Sequence, residues 1–194
     1  MNKLNSKDYI NIGIFTTLFF ISNILVSSLI VTPFMQYVMM PLIALVTGPI
    51  YILYVSKIKK FGAITIVGIF CSLVIGLLVF GSIPACIINL IIFLLAELIA
   101  YLGKYKDFKY IALSYIVVSF YTIGEVGLIW YARDSYYNIS IQSGISSEFT
   151  QKILDLGSYT TLFIMIICVI ICSILSIILS KKLFNKHFKK LGII

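Results

Sequence analysis

Two carboxylates stand where charge is expensive. Glu97 and Glu125 each fall inside an apolar run long enough to cross a bilayer. An ionisable side chain at that depth faces a partner, a cavity or a ligand rather than lipid. Glu125 lies in Tyr121-Thr122-Ile123-Gly124-Glu125-Val126-Gly127-Leu128-Ile129-Trp130-Tyr131. Tyr121 is one helical turn before it, on the same face. Asn23 and Asn89 belong to other apolar runs and fall roughly 12 and 9 Å below the outer surface, beside Glu125 at roughly 10 Å. Trp130, Tyr131, Arg133, Tyr136 and Tyr137 crowd the outer end of the same stretch. Aromatic faces with a few hydrogen-bonding groups suit a small, partly planar solute, and a carboxylate among them favours a cationic or donor-rich group. The candidate solute-binding set is therefore Glu125, Tyr121, Asn89, Asn23, Trp130 and Arg133. Aromatics at this height also form interface belts, and buried asparagines also bond helix to helix, so those readings stay open.

The elements that must position these groups are membrane spans. The chain has 194 residues, of which 61% are hydrophobic and 11% charged. That composition predicts a polytopic, all-helical membrane protein made of one domain, 1–194, with no separate soluble unit. Six spans follow, at about 10–31, 37–56, 61–80, 83–103, 110–132 and 159–180, each near the length a helix needs to cross the hydrocarbon. The net charge is +8. Its basic residues lie in loops and tails, so topology rather than nucleic acid explains them. Thirteen of the fifteen Lys and Arg residues fall at the N-terminus, in the second and fourth loops and in the C-terminal tail, leaving Arg133 and Lys152 on the other side. The positive-inside rule then places both termini in the cytoplasm of a cell-membrane protein, as an even number of spans requires.

The loop after span five is long, about 133–158, and Ser147 to Gly157 reads as a short helix that Ser147 caps and Gly157 stops. It is expected either at the interface or folded over the bundle. Pro41 and Gly48-Pro49 interrupt span two and free backbone carbonyls that neighbours must satisfy. Cys71, Cys86, Cys168 and Cys172 lie inside spans without CxxC spacing, which suits packing rather than a disulfide or metal.

Glu97 sits roughly 9 Å from the inner end of its span, too far in height from Glu125 for a catalytic pair. A structural ion pair with a snorkelling lysine such as Lys57 or Lys104 is expected there, with a role at a partner interface as the alternative. Gly13 and Thr17 are four apart on span one, and Cys168, Cys172, Ser176 and Ser180 form a four-spaced row on span six. Small residues so spaced allow close helix approach, either within the bundle or against another membrane subunit. There is no GxxxxGK[ST], no HExxH, no GxSxG, and His187 is the only histidine. The expectation is a protein without enzymatic activity, cofactor or metal.

Three segments resemble a known group. Thr47-Gly48-Pro49-Ile50-Tyr51-Ile52-Leu53-Tyr54-Val55-Ser56-Lys57-Ile58-Lys59-Lys60-Phe61-Gly62 resembles the end of span two in the Trep_Strep (MptD-like) family. Ala96-Glu97-Leu98-Ile99 with Gly103-Lys104-Tyr105-Lys106 resembles its fourth-span ending. Lys186-His187-Phe188-Lys189-Lys190-Leu191-Gly192-Ile193 resembles its KHFxKAGI tail, with Leu191 in place of Ala. The resemblance implies a six-helix S component of an energy-coupling factor (ECF) importer. Such a protein binds a small micronutrient, vitamin-like, from outside and docks on a membrane coupling subunit driven by two separate ATPases. It topples in the bilayer to carry the solute in. It also implies docking through span one, where Gly13 and Thr17 stand in place of an AxxxA-like pair. Two other classes compete. A small membrane enzyme acting on lipid would use Glu97 or Glu125 as acid or base. A non-transporting scaffold would have a closed, apolar outer half.

Overall fold

The computed structural model describes residues 4–79 and 81–190. Lys3 of the charge count and Leu191, Gly192 and Ile193 of the tail motif lie outside the described residues, as do the side chains of Lys186 to Lys190. Among the described residues the chain forms ten α-helices and one π-helical segment. Four helices are long and apolar enough to cross a membrane: α1 (Ser6–Ser27), α2 (Met35–Ile58), α4 (Ile83–Leu102) and the first part of α10 (Tyr159–Lys190), which is kinked at Phe184.

α1 starts at a capping box: the Asn5 side chain accepts from the Asp8 amide at 3.0 Å, and Asp8 accepts from the Asn5 amide at 2.7 Å. This box satisfies two donors that a helix start leaves open, so the first helix begins at Ser6, before its apolar run; it ends at Ser27. α2 is the central helix, packed most extensively against α10 and then against α1. Pro49 has no amide hydrogen, so the Leu45 carbonyl loses its usual intrahelical donor. Ser176 of α10 donates its hydroxyl to that carbonyl at 2.6 Å. A Cβ on Gly48 would come within 2.1 Å of the same hydroxyl, so glycine permits the close approach that the repair requires. Of the small-residue row on α10, Ser176 and Ser180 are fully buried inside the bundle, while Cys168 and Cys172 are half-buried.

The third and fifth expected spans are interrupted. α3 (Ala63–Cys71) widens into a π-helix over Ser72–Val79. A Cβ on Gly76 would come within 2.8 Å of the Cys86 backbone, so this wide turn presses directly on α4. The stretch 110–132 is not one helix. It is α5 (Phe108–Val118), a turn through Tyr121, then α6 (Ile123–Val126) and α7 (Leu128–Tyr131), followed by α8 (Arg133–Gln142). Gly124 lets α6 pack closely on α4, because a Cβ there would meet Asn89 Oδ1 at 2.6 Å and the Ala85 carbonyl at 2.7 Å. Broken backbone at membrane depth is tolerated where its polar groups are re-paired inside the protein. Here the Tyr131 hydroxyl donates to the Gly124 carbonyl at 2.9 Å.

Contacts gather the lysine-bearing segments at one end. Lys60 pairs with Asp8 at 2.5 Å, Lys57 lies 5.7 Å from the Phe15 ring and Lys181 lies 5.4 Å from the Phe108 ring. One apolar core, with Phe15, Tyr54, Phe93 and Tyr115, runs from this end to Tyr121. A second, with Tyr37, Met40, Ile129, Ile153, Leu154 and Met165, fills the opposite end. Large apolar side chains of α1, α4 and α10 remain exposed on the flanks, the pattern expected of helices facing lipid.

Candidate functional site: a buried polar layer under a helical cover

The break in the fifth span brings the predicted polar residues together. Tyr121, in the turn after α5, donates its hydroxyl to Asn23 Oδ1 of α1. Asn23 in turn donates from Nδ2 to the Phe19 carbonyl at 2.7 Å. Glu125, one turn further on in α6, accepts through Oε1 from Asn89 Nδ2 of α4. One short segment therefore ties α1 and α4 together through two side-chain pairs. The layer is not an open pocket: Glu125 is 1% exposed, Tyr121 1%, Asn89 0% and Asn23 7%.

Its bonding is incomplete. Among the described residues, Glu125 Oε2, Asn89 Oδ1, Thr122 Oγ1 and Ser72 Oγ are buried without a hydrogen-bond partner. Such groups are uncommon in native interiors and costly in low dielectric. The Asn89 amide already spends a donor on Glu125, so the pair leaves two acceptors unused. A molecule bearing N–H or O–H groups, or a cation, would satisfy them.

Trp130 and Arg133 have a different task. Their hydrogen bonds go not to the Glu125 layer but to main-chain carbonyls at and just after the end of α9 (Ser147–Leu156), which they hold over the end of the bundle opposite the lysine-rich one. A helix leaves its last carbonyls without intrahelical donors. Tyr37 donates to the Ile153 carbonyl at 2.5 Å, and Arg133 donates to the Leu154 carbonyl at 2.6 Å. Thr161 takes the Leu156 carbonyl at 2.7 Å, and Trp130 takes that of Ser158 at 3.0 Å. The Arg133 charge also opposes the negative end of the α9 dipole. Thr150, Ile153 and Leu154 are buried beneath the cover, so α9 folds over the bundle. Its cap is Ser146, whose hydroxyl accepts from the Phe149 amide at 3.3 Å, one residue before the expected Ser147. On its exposed face Lys152 bonds Glu148 at 2.7 Å and holds that carboxyl below its ordinary range.

Glu97 is separate from this layer, eight residues along α4 from Asn89 and so about 12 Å lower. The expected ion pair with Lys57 does not form. Thr65 donates to Glu97 Oε2 from its amide at 2.9 Å and its hydroxyl at 3.2 Å, and Tyr105 donates to Oε1 at 2.5 Å. Three uncharged donors satisfy a buried carboxylate without the desolvation of a second ion. Lys57 instead lies against Phe15. Apolar spans mark where a carboxylate is buried, but Thr65 and Tyr105 give no charge signal that would identify them as its partners. Gly13 and Thr17 lie on the exposed face of α1, with nothing within 4 Å of a Cβ built on Gly13. That face is not used inside the bundle.

The model of the Trep_Strep family, described as a hypothetical bacterial integral membrane protein, matches residues 6–190. The chain belongs to that family. No curated protein and no solved structure matches it.

Proposed function

We propose that this Trep_Strep protein is the solute-binding S component of an ECF-type importer. In this reading it has six membrane-crossing segments, two of them interrupted, with both termini in the cytoplasm. It takes a small vitamin-like solute from outside into the Glu125–Asn89 layer beneath α9. It then docks on a membrane coupling subunit, which two separate ATPases drive. The observation that carries the reading is the pair of buried, unpaired acceptors, Glu125 Oε2 and Asn89 Oδ1. They match a donor-rich or cationic group, and the α9 cover supplies an element whose opening would admit it. Tyr121 and Asn23 brace the segment that carries Glu125, and Trp130, Arg133 and Tyr37 hold the cover. Gly13 and Thr17 supply a flat strip on α1 for the coupling subunit.

A scaffold without transport is the second reading, favoured by the closure of the outer half. It expects that half to be apolar, and the unpaired acceptors weigh against it. Reconstitution with a coupling subunit and its two ATPases in proteoliposomes tests the proposal. The expected result is ATP-dependent uptake of at least one member of a panel of vitamin-like, donor-bearing solutes, abolished in Glu125→Ala. Stable assembly of the complex with no uptake across the panel contradicts it.

A further inference from the structure

The Glu125 layer has an aromatic floor. Each of its polar side chains has an aromatic residue four places away in sequence: Phe19 before Asn23, Phe93 after Asn89 and Tyr121 before Glu125. α1 and α5 start at the lysine-rich end, where Asp8 meets Lys60 and Phe108 meets Lys181, and α4 finishes there just before Lys104. All three rings therefore lie on the same side of their polar neighbours. They are buried and touch one another, Tyr121 standing 5.4 Å from Phe19 and 5.7 Å from Phe93 and tilted to both. We propose, resting on the reading that this layer holds the solute, that the group bound there is a planar monocation with paired N–H donors, of the amidinium or guanidinium kind.

The charge at the layer is uncompensated. Glu125 Oε1 accepts from the uncharged Asn89 amide, and Oε2 has no partner. The ionisable side chains that face Glu125, Cys71, Tyr121 and Tyr131, are of types that never carry a positive charge. Arg133, the nearest cation in sequence, is bonded to the Leu154 carbonyl. A buried carboxylate left with one neutral donor is costly. Glu97 provides the contrast, with three donors spread over both of its oxygens. Glu97 is complete as an anion, whereas Glu125 is complete only when a positive charge joins it.

The open atoms ask for paired donors. Glu125 Oε2 and Asn89 Oδ1 can only accept, and both are unpaired. They belong to two groups already bonded to each other, so the open acceptors lie close together. An amidinium or guanidinium presents parallel N–H bonds in a fixed plane, which suits two neighbouring acceptors better than a compact ammonium does. Two buried, unpaired hydroxyls stand on the adjoining segments. Thr122 precedes Glu125 by three residues, and Ser72 follows Cys71, which faces Glu125.

The floor favours the same class. Aromatic faces attract cations, most strongly where water is excluded. A delocalised planar cation also stacks on rings and is less strongly hydrated than an ammonium, so it loses less on leaving water. Phe19, Phe93 and Tyr121 give it rings within about one helical turn of the acceptors. An anionic solute would meet Glu125 as a like charge, and a neutral one would leave that charge unanswered.

Calorimetric titration of the full chain in detergent with acetamidinium, and with acetamide as its uncharged isostere, tests this. Acetamidinium should bind roughly tenfold more tightly, the difference between a charged and a neutral hydrogen bond. Glu125→Gln keeps the shape and removes the charge, so it should abolish the preference, while Glu97→Gln should keep it. If Glu125→Gln misfolds, Glu125→Asp serves instead: it retains the charge with a shorter reach, and should keep the preference at lower affinity. Equal affinity for the two probes, or a preference unchanged in Glu125→Gln, overturns the proposal. Equal binding of both probes that is lost together in Glu125→Gln overturns the charge assignment and leaves the solute site standing. Binding of neither probe also overturns it, and the solute site is then judged by the uptake assay alone.

Discussion

Removing the two strongest bonds to the end of α9 should free the cover without unfolding the bundle. The perturbation is Tyr37→Phe combined with Arg133→Gln. Tyr37 supplies a neutral hydrogen bond to the Ile153 carbonyl and Arg133 a charged one to the Leu154 carbonyl. A neutral bond contributes about 1 kcal/mol and a charged one about 2 kcal/mol, so together they contribute about 3 kcal/mol. Ile153 and Leu154 are also buried under the cover, at 1% and 5% exposure, and that apolar contact holds about another 4 kcal/mol. The double variant should therefore keep α9 docked on average but raise its open population roughly a hundredfold. Amide exchange reads this directly, because protection of a locally opening segment follows its opening equilibrium. Amides of 150–157 should exchange about a hundredfold faster, while those of α2 and α10 stay unchanged. Unaltered exchange in α9 would refute the latch. Equal acceleration in α2 would show instead that these bonds support the whole fold.

Other substitutions test the supports below. Glu97→Gln removes the charge that Thr65 and Tyr105 bond, and should lower stability by about 2–3 kcal/mol, visible as a lower melting temperature in detergent. It should leave solute binding intact. Ser176→Ala leaves the Leu45 carbonyl without the α10 donor, and a cost of about 1–3 kcal/mol is expected in the same melt. Gly48→Ala should be worse than Ser176→Ala, since its Cβ would meet Ser176 Oγ at 2.1 Å and Tyr115 at 3.0 Å. An unchanged melt for Gly48→Ala would show that α2 and α10 are not pressed together there. Gly124→Ala should force α6 away from Ala85 and Asn89, and intrinsic fluorescence quenching near Trp130 would report the opening of that end.

The apolar runs made an all-helical membrane bundle legible from residue types alone, because they follow from the cost of polar groups in hydrocarbon. The polar layer was legible for the same reason: Asn23, Asn89 and Glu125 are conspicuous in apolar runs, and depth arithmetic brought them level. The two interruptions were harder to see. Gly124 and Gly127 lie beside the interruption, but glycine is common in membrane helices, and only the structure shows how closely Ala85 and Asn89 approach Gly124. Trp130 and Arg133, expected beside Glu125, bond elsewhere. Their partners are main-chain carbonyls of α9, and a carbonyl has no sequence signature. Glu97 shows the same limit, since a tyrosine and a threonine replaced the lysine that charge alone suggested.

The central claim is that the Glu125–Asn89 pair holds a solute. Its most direct test is untargeted mass spectrometry of small molecules that co-purify with the folded protein. A donor-bearing small molecule should accompany the wild-type chain and Glu97→Gln, and should be lost from Glu125→Ala and Asn89→Ala when their helicity is unchanged. A profile identical in all four proteins, or one lost only in Glu97→Gln, would contradict it.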